Sequence, residues 1–168
     1  NADLKHNKYY FIKSLTYNDD RSEVTLDKIK LNNNLEILDL KEIKVKTYLN
    51  NLKNNHFSIK KSDKIVIRGK VFDAQSLLKS LFKEDDKRTF SKKFNSQIKI
   101  NFLNTITGTN DDISELSAIG YIKDGSYSKF SLKGNFSNNE IIEMSIYQVT
   151  KDKKTLQLIS DRARPFIK

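Results

Sequence analysis

A chain of 168 residues with 37% hydrophobic and 31% charged side chains carries material for only a thin core, which suits a sheet with one oily and one wetted face better than a closed sandwich. The formal net charge is +10, yet only five of the 31 basic residues are arginine (Arg21, Arg68, Arg88, Arg162, Arg164). Arginine is the side chain that forks onto phosphates and base edges, so this lysine surplus argues only weakly for nucleic-acid readout.

The absence of cysteine removes disulfide and thiolate chemistry, and no apolar run approaches the roughly 18–20 residues of a membrane-spanning helix. The first pattern along the chain is Tyr9, Phe11, Leu15 and Tyr17 at odd positions, a strand that runs to a turn at Asn18-Asp19-Asp20. Tyr9, Tyr10, Phe11 and Tyr17, interleaved with lysine, suit stacking on bases as in single-strand binders, but as ordinary sheet formers they read first as core packing. Val24 and Leu26 alternate until Asp27-Lys28, after which Ile29 and Leu31 have changed parity, as a bulge would require. A turn at Asn32–Asn34 leads into Leu35–Leu49, where Ile43 and Val45 face one way while Lys44 and Lys46 wet the other. Asn50-Asn51 and Asn54-Asn55 read as turns. Phe57 and Ile59 then pair with Ile65 and Ile67 across Ser62-Asp63.

The stretch Lys64–Phe82 is a strand ending near Gly69 followed by a short helix over 73–82. Asp73 stands ready to cap it, and Ala74, Leu77, Leu78, Leu81 and Phe82 gather on one helical face. So short a helix must lie against an apolar surface, here one face or end of a sheet. Residues 84–95 read as a charged, mobile connector. The second half repeats the style of the first: Ile98, Ile100 and Phe102 alternate; Ile119 and Tyr121 follow a turn at Asn110–Asp112; Phe130, Leu132, Gly134 and Phe136 alternate after Asp124-Gly125. Ile142, Met144 and Ile146 share a face, and Leu156 and Leu158 lead to Asp161, a second capping residue.

These elements predict a mainly β chain of roughly nine to eleven strands: an antiparallel, curved open sheet or groove-like meander with one or two short helices. It divides into a first meander (1–83), the connector (84–95) and a second meander (96–168). The ending Arg164-Pro165-Phe166-Ile167-Lys168, which breaks off in a helical start, reads as part of a larger protein.

Catalytic patterns are missing. His6 and His56 have no metal-ligand spacing, no phosphate-cradling glycine loop or nucleophile elbow occurs, and the acidic pairs 19–20, 85–86 and 111–112 sit at turns. The chain therefore reads as non-enzymatic, with no cofactor or metal implied. Two binding readings remain. One is an apolar groove lined by Ile98, Ile100 and Phe102, by Phe130, Leu132 and Phe136, and by Ile142, Met144 and Ile146. The other is a basic β-domain for nucleic acid or another anionic polymer, which requires Lys60, Lys61, Lys64, Lys92, Lys93, Lys151, Lys153 and Lys154 to converge beside exposed aromatics.

The order NHFSI then KIVIRGKVFDAQSLLKSLF resembles AsmA-like periplasmic proteins of the YhdP and TamB type: an Asn-x-Phe strand, a strand ending in Gly, then Asp-Ala-x-x-Leu-Leu opening a helix. SKFSLKGNFSNN and TLQLISDRARPFIK are similar to the family's hairpin and its strand followed by Ser-Asp-x-Ala, although Arg162 stands where a second Asp is frequent and Pro165 where a small or apolar residue is usual. The resemblance implies a segment of a periplasmic, bridge-like lipid transporter. Its parent would be anchored in the inner membrane of a diderm bacterium and carry phospholipid acyl chains toward the outer membrane, with no nucleic-acid partner.

Overall fold

A computed structural model describes residues 2–3, 9–76, 91, 94–109, 111–124, 126–150 and 153–162. Among them are twelve strands: β1 (Ala2–Asp3), β2 (Tyr9–Asn18), β3 (Ser22–Asn32), β4 (Ile37–Asp39), β5 (Glu42–Leu49), β6 (Leu52–Lys61), β7 (Ile65–Asp73), β8 (Ser96–Ile106), β9 (Ile113–Lys123), β10 (Ser126–Asn135), β11 (Ile141–Thr150) and β12 (Lys153–Ser160). All belong to one open sheet in the order β1-β2-β3-β5-β6-β7-β8-β9-β10-β11-β12, with β4 paired to β3 off that path. The two predicted meanders are thus the two halves of a single sheet.

Turn chemistry follows the asparagine and aspartate pattern. Asn50 and Asn51, both left-handed (φ 50° and 62°), join β5 to β6 as a two-residue hairpin turn. Asn32 Oδ1 accepts from the amides of Asn34 and Glu36 at 3.0 and 2.9 Å, and Asp19 Oδ1 from the amide of Arg21 at 2.8 Å. These short polar side chains hold backbone donors that the bend leaves unpaired. At the predicted change of parity in β3, Lys28 has φ 50° and its carbonyl accepts from the Lys41 amide. The strand turns there from β5 to β4.

The neighbours in the sheet run antiparallel except β7 and β8, which pair in parallel from Ile65↔Ile98 to Asp73↔Ile106. A parallel pair needs a crossover from one end of the sheet to the other, and residues 74–95 supply it. Asp73 Oδ1 accepts from the Gln75 amide at 3.1 Å, as a cap does. Gln75 and Ser76 begin a helical turn; residues 77–82 of the expected helix lie outside the described residues. The connector expected to be mobile is tied down where it is described: Ser91 and Phe94 are buried, the Ser91 amide donates to the Ile37 carbonyl, and Phe94 packs with Ile65, Ile98 and Ile122.

Several local expectations are corrected. Asn54 and Asn55 are not a turn but lie within β6, where Thr47 Oγ1 donates to Asn54, Asn54 donates to Asp73, and the Asp73 amide donates to Asn55. This network knits the ends of β5, β6 and β7. The run Leu35–Leu49 is two strands, broken at Leu40-Lys41. Asp161 receives the Ile141 amide at 2.7 Å, so it closes the start of β11; the helix expected beyond it lies outside the described residues. Tyr9, Tyr10, Phe11 and Tyr17 are exposed on β2, not packed in a core; among the described residues only the two-residue β1 lies beyond β2 in the sheet. Ile119 and Tyr121 face outward (47% and 49% exposed), whereas Leu116, Ala118 and Ile122 are buried. The left-handed Glu115 (φ 52°) is where β9 changes parity to place Ile113 inward as well. Arg162 pairs with the buried Asp111 and with Glu140, fastening the end of β12 to two loops.

Candidate functional site: an apolar face across ten strands

Side chains alternate across a strand, so register decides whether the oily sides of neighbouring strands meet. Here they meet without a break. Leu15, Leu26, Ile43 and Ile59 stand opposite one another in β2, β3, β5 and β6. The row continues through Ile67, Ile100 and Ala118 in β7, β8 and β9 to Leu132, Met144 and Leu158 in β10, β11 and β12. At about 4.8 Å between strands, the ten residues make a row roughly 40 Å long.

A step of one residue reverses the chemistry. Thr16, Thr25, Lys44, Ser58 and Arg68 form the next row in the first half, and Asn101, Ser117, Lys133 and Glu143 extend it before Ile159 ends it. Ion pairs lace this opposite face: Glu42 with Lys60 at 3.1 Å and with Lys44 at 3.6 Å, and Glu23 with Lys46 at 3.5 Å. The Lys60 ammonium beside it, together with the charge of Lys44, holds the Glu42 carboxyl below its ordinary range.

The middle of the apolar face is covered. Phe102, Ile113, Leu116, Phe136 and Ile142 form one buried cluster; Ile65, Phe94, Ile98 and Ile122 form another. Phe102 stacks on Phe72 at 4.9 Å between centroids and meets the Phe57 ring edge-on at 5.8 Å. These contacts favour offset and T-shaped geometry and fill the space above Gly69. The face opens toward both edges of the sheet, where Leu15 is 50% and Leu156 58% exposed.

Of the residues predicted to line a groove, Ile98, Phe102, Phe136 and Ile142 are buried, while Ile100, Phe130, Leu132, Met144 and Ile146 are half-buried. All belong to the apolar side, and the register joins Phe130 to Ile146, Leu132 to Met144 and Ile100 to the central row. The structure adds to the predicted lining the first-half members of that row, Leu15, Leu26, Ile43, Ile59 and Ile67, which the same alternation marks in the sequence. Ala118 carried no signal, being small. Of the lysines required by the polymer reading, Lys60 pairs with Glu42, and Lys61, the next residue along β6, pairs with Asp39 at 2.6 Å. Lys64 is half-buried; Lys92, Lys93 and Lys151 lie outside the described residues, as do the side chains of Lys153 and Lys154. Comparison with protein-family models, curated proteins and solved structures returned no match to this chain.

Proposed function

We propose that this chain is a non-enzymatic lipid-handling segment whose open sheet carries acyl chains on its apolar face. The observation that supports this reading is the unbroken row from Leu15 to Leu158, apolar on every strand it crosses and backed by a polar row one residue away. A row of roughly 40 Å is longer than the hydrocarbon depth of a bilayer, about 30 Å, and so exceeds a single acyl chain. Each methylene buried against such a face gains about 0.8 kcal/mol. The middle of the row packs against the two buried clusters, and the flanks at Leu15 and Leu158 are open, so acyl chains lie on those open flanks, where similar neighbouring side chains make successive positions similar in affinity.

Within the AsmA-like resemblance, the segment belongs to a periplasmic protein anchored in the inner membrane, passing phospholipids toward the outer membrane and supporting its integrity. The exposed ends of the apolar face are then where neighbouring parts of the parent protein continue the surface.

The test uses photo-crosslinking in a bacterial host. A benzophenone amino acid replacing Met144, on the apolar side, is expected to form phospholipid adducts visible by mass spectrometry, whereas the same probe replacing Glu143 is expected to form none. Equal labelling at the two positions, or no lipid at either, refutes the proposal.

A further inference from the structure

A cleft of about 330 Å³ opens where β3, β4 and β6 come together, lined by Phe11, Lys28, Lys30, Asp39, Leu40, Lys41, Lys61 and Ser62. Four lysines therefore face one carboxylate. The backbone builds this cluster: the Lys41 amide donates to the Lys28 carbonyl at 3.1 Å, and the Lys61 amide donates to the Lys41 carbonyl at 3.0 Å. Lys28 sits in the left-handed region at φ 50°, a conformation that costs a lysine about 1–2 kcal/mol.

The charges are unequally satisfied. Lys61 is paired with Asp39 at 2.6 Å and Lys41 with Asp27 at 3.1 Å. Lys30 lies over the Tyr9 ring at 3.8 Å. Among the described residues no carboxylate stands within ion-pairing reach of Lys28 or Lys30, which leaves the cleft with surplus positive charge. Lys61 also stands opposite Ile65, which pairs with Ile98, so the cleft adjoins the apolar face. A small cationic cleft beside an oily surface matches a molecule with a compact anion at one end.

We propose that this cleft binds a phosphate ester group, with Lys28 and Lys30 supplying the unpaired charges and Lys41 and Lys61 completing the field. The phosphate can come from a lipid headgroup or from a free phosphate. That its bearer is a lipid rests on the function proposed above; that the cleft takes the anion does not.

Amide and lysine Nζ chemical shifts of the whole chain report binding of three probes: inorganic phosphate, monomeric dihexanoylphosphatidylglycerol and the uncharged octyl glucoside. Both phosphate probes are expected to perturb Lys28, Lys30, Lys41 and Lys61 saturably and to weaken with added salt. The variant Lys28→Gln with Lys30→Gln is expected to bind dihexanoylphosphatidylglycerol about tenfold more weakly while binding octyl glucoside as before. Lys61→Gln, read in the same way, covers the case in which the double variant fails to fold. Perturbation by inorganic phosphate alone assigns the cleft to a free anion and removes the lipid reading. Octyl glucoside shifts along the apolar row with no phosphate response at these lysines overturn the cleft proposal and leave the lipid reading standing.

Discussion

Phe102 and Leu103 are neighbours on β8 that face opposite ways, and truncating each in turn tests the assignment of faces on which the functional reading depends. Phe102 is 5% exposed, packed between the rings of Phe57 and Phe72, and its Cε1 lies 2.9 Å from where a Cβ on Gly69 would stand. Its removal opens space opposite a glycine, which has no side chain to collapse into it. Phe102→Ala should therefore cost about 4 kcal/mol, within the 3–5 expected for a buried ring. Leu103 is 64% exposed on the other face, and Leu103→Ala should change stability by less than about 0.5 kcal/mol. Followed by circular dichroism in urea with a slope near 2 kcal/mol/M, the first variant should lower the midpoint by about 2 M and the second by less than about 0.3 M. A Phe102→Ala midpoint within about 0.5 M of the parent, or a Leu103→Ala loss of similar size to that of Phe102→Ala, refutes the face assignment.

Gly120 tests the packing between strands: an added Cβ would meet Phe130 Cδ2 at 2.8 Å and Ile98 Cγ2 at 3.0 Å. Gly120→Ala should cost about 1–3 kcal/mol, and combination with Phe130→Leu should cost less than the sum of the two changes in a urea double-mutant cycle. Leu35, 67% exposed at φ 61°, is held in a backbone region that suits glycine. Leu35→Gly should raise the urea midpoint, by up to about 1 kcal/mol of stability, and a lowered midpoint counts against the strain. Glu42, held below its ordinary range by Lys60 and Lys44, is bound more weakly to its proton in the folded state than in the unfolded one. Its contribution is complete above the ordinary carboxylate range and is lost as the pH falls through its lower folded value. Urea midpoints across an acid pH series should therefore decline less steeply for Glu42→Gln than for the parent; parallel curves refute the role given to this ion pair.

What the chain dictated locally was the strands and their turns. Alternation at Ile98–Phe102, Phe130–Phe136 and Ile142–Ile146 needs only the period-two geometry of an extended backbone, and Asn50-Asn51 and Asn32 bend it because their side chains tolerate or cap left-handed turns. An open, mainly β architecture followed from those two signals. Tertiary structure decided the rest. In β9 the inward positions include the buried Ala118, and Gly120, where an added Cβ would meet Phe130 and Ile98, so the larger Ile119 and Tyr121, which mark the strand in the sequence, lie on its outward side. Asn54 and Asn55 carry a turn's composition but serve a network with Thr47 and Asp73, partners that no local pattern reveals. The parallel meeting of β7 and β8 brings together strands separated by some twenty residues of chain, a long-range pairing that no local alternation signals. Only that pairing joins the oily side of the first meander to that of the second, and so turns separate amphipathic strands into one continuous face.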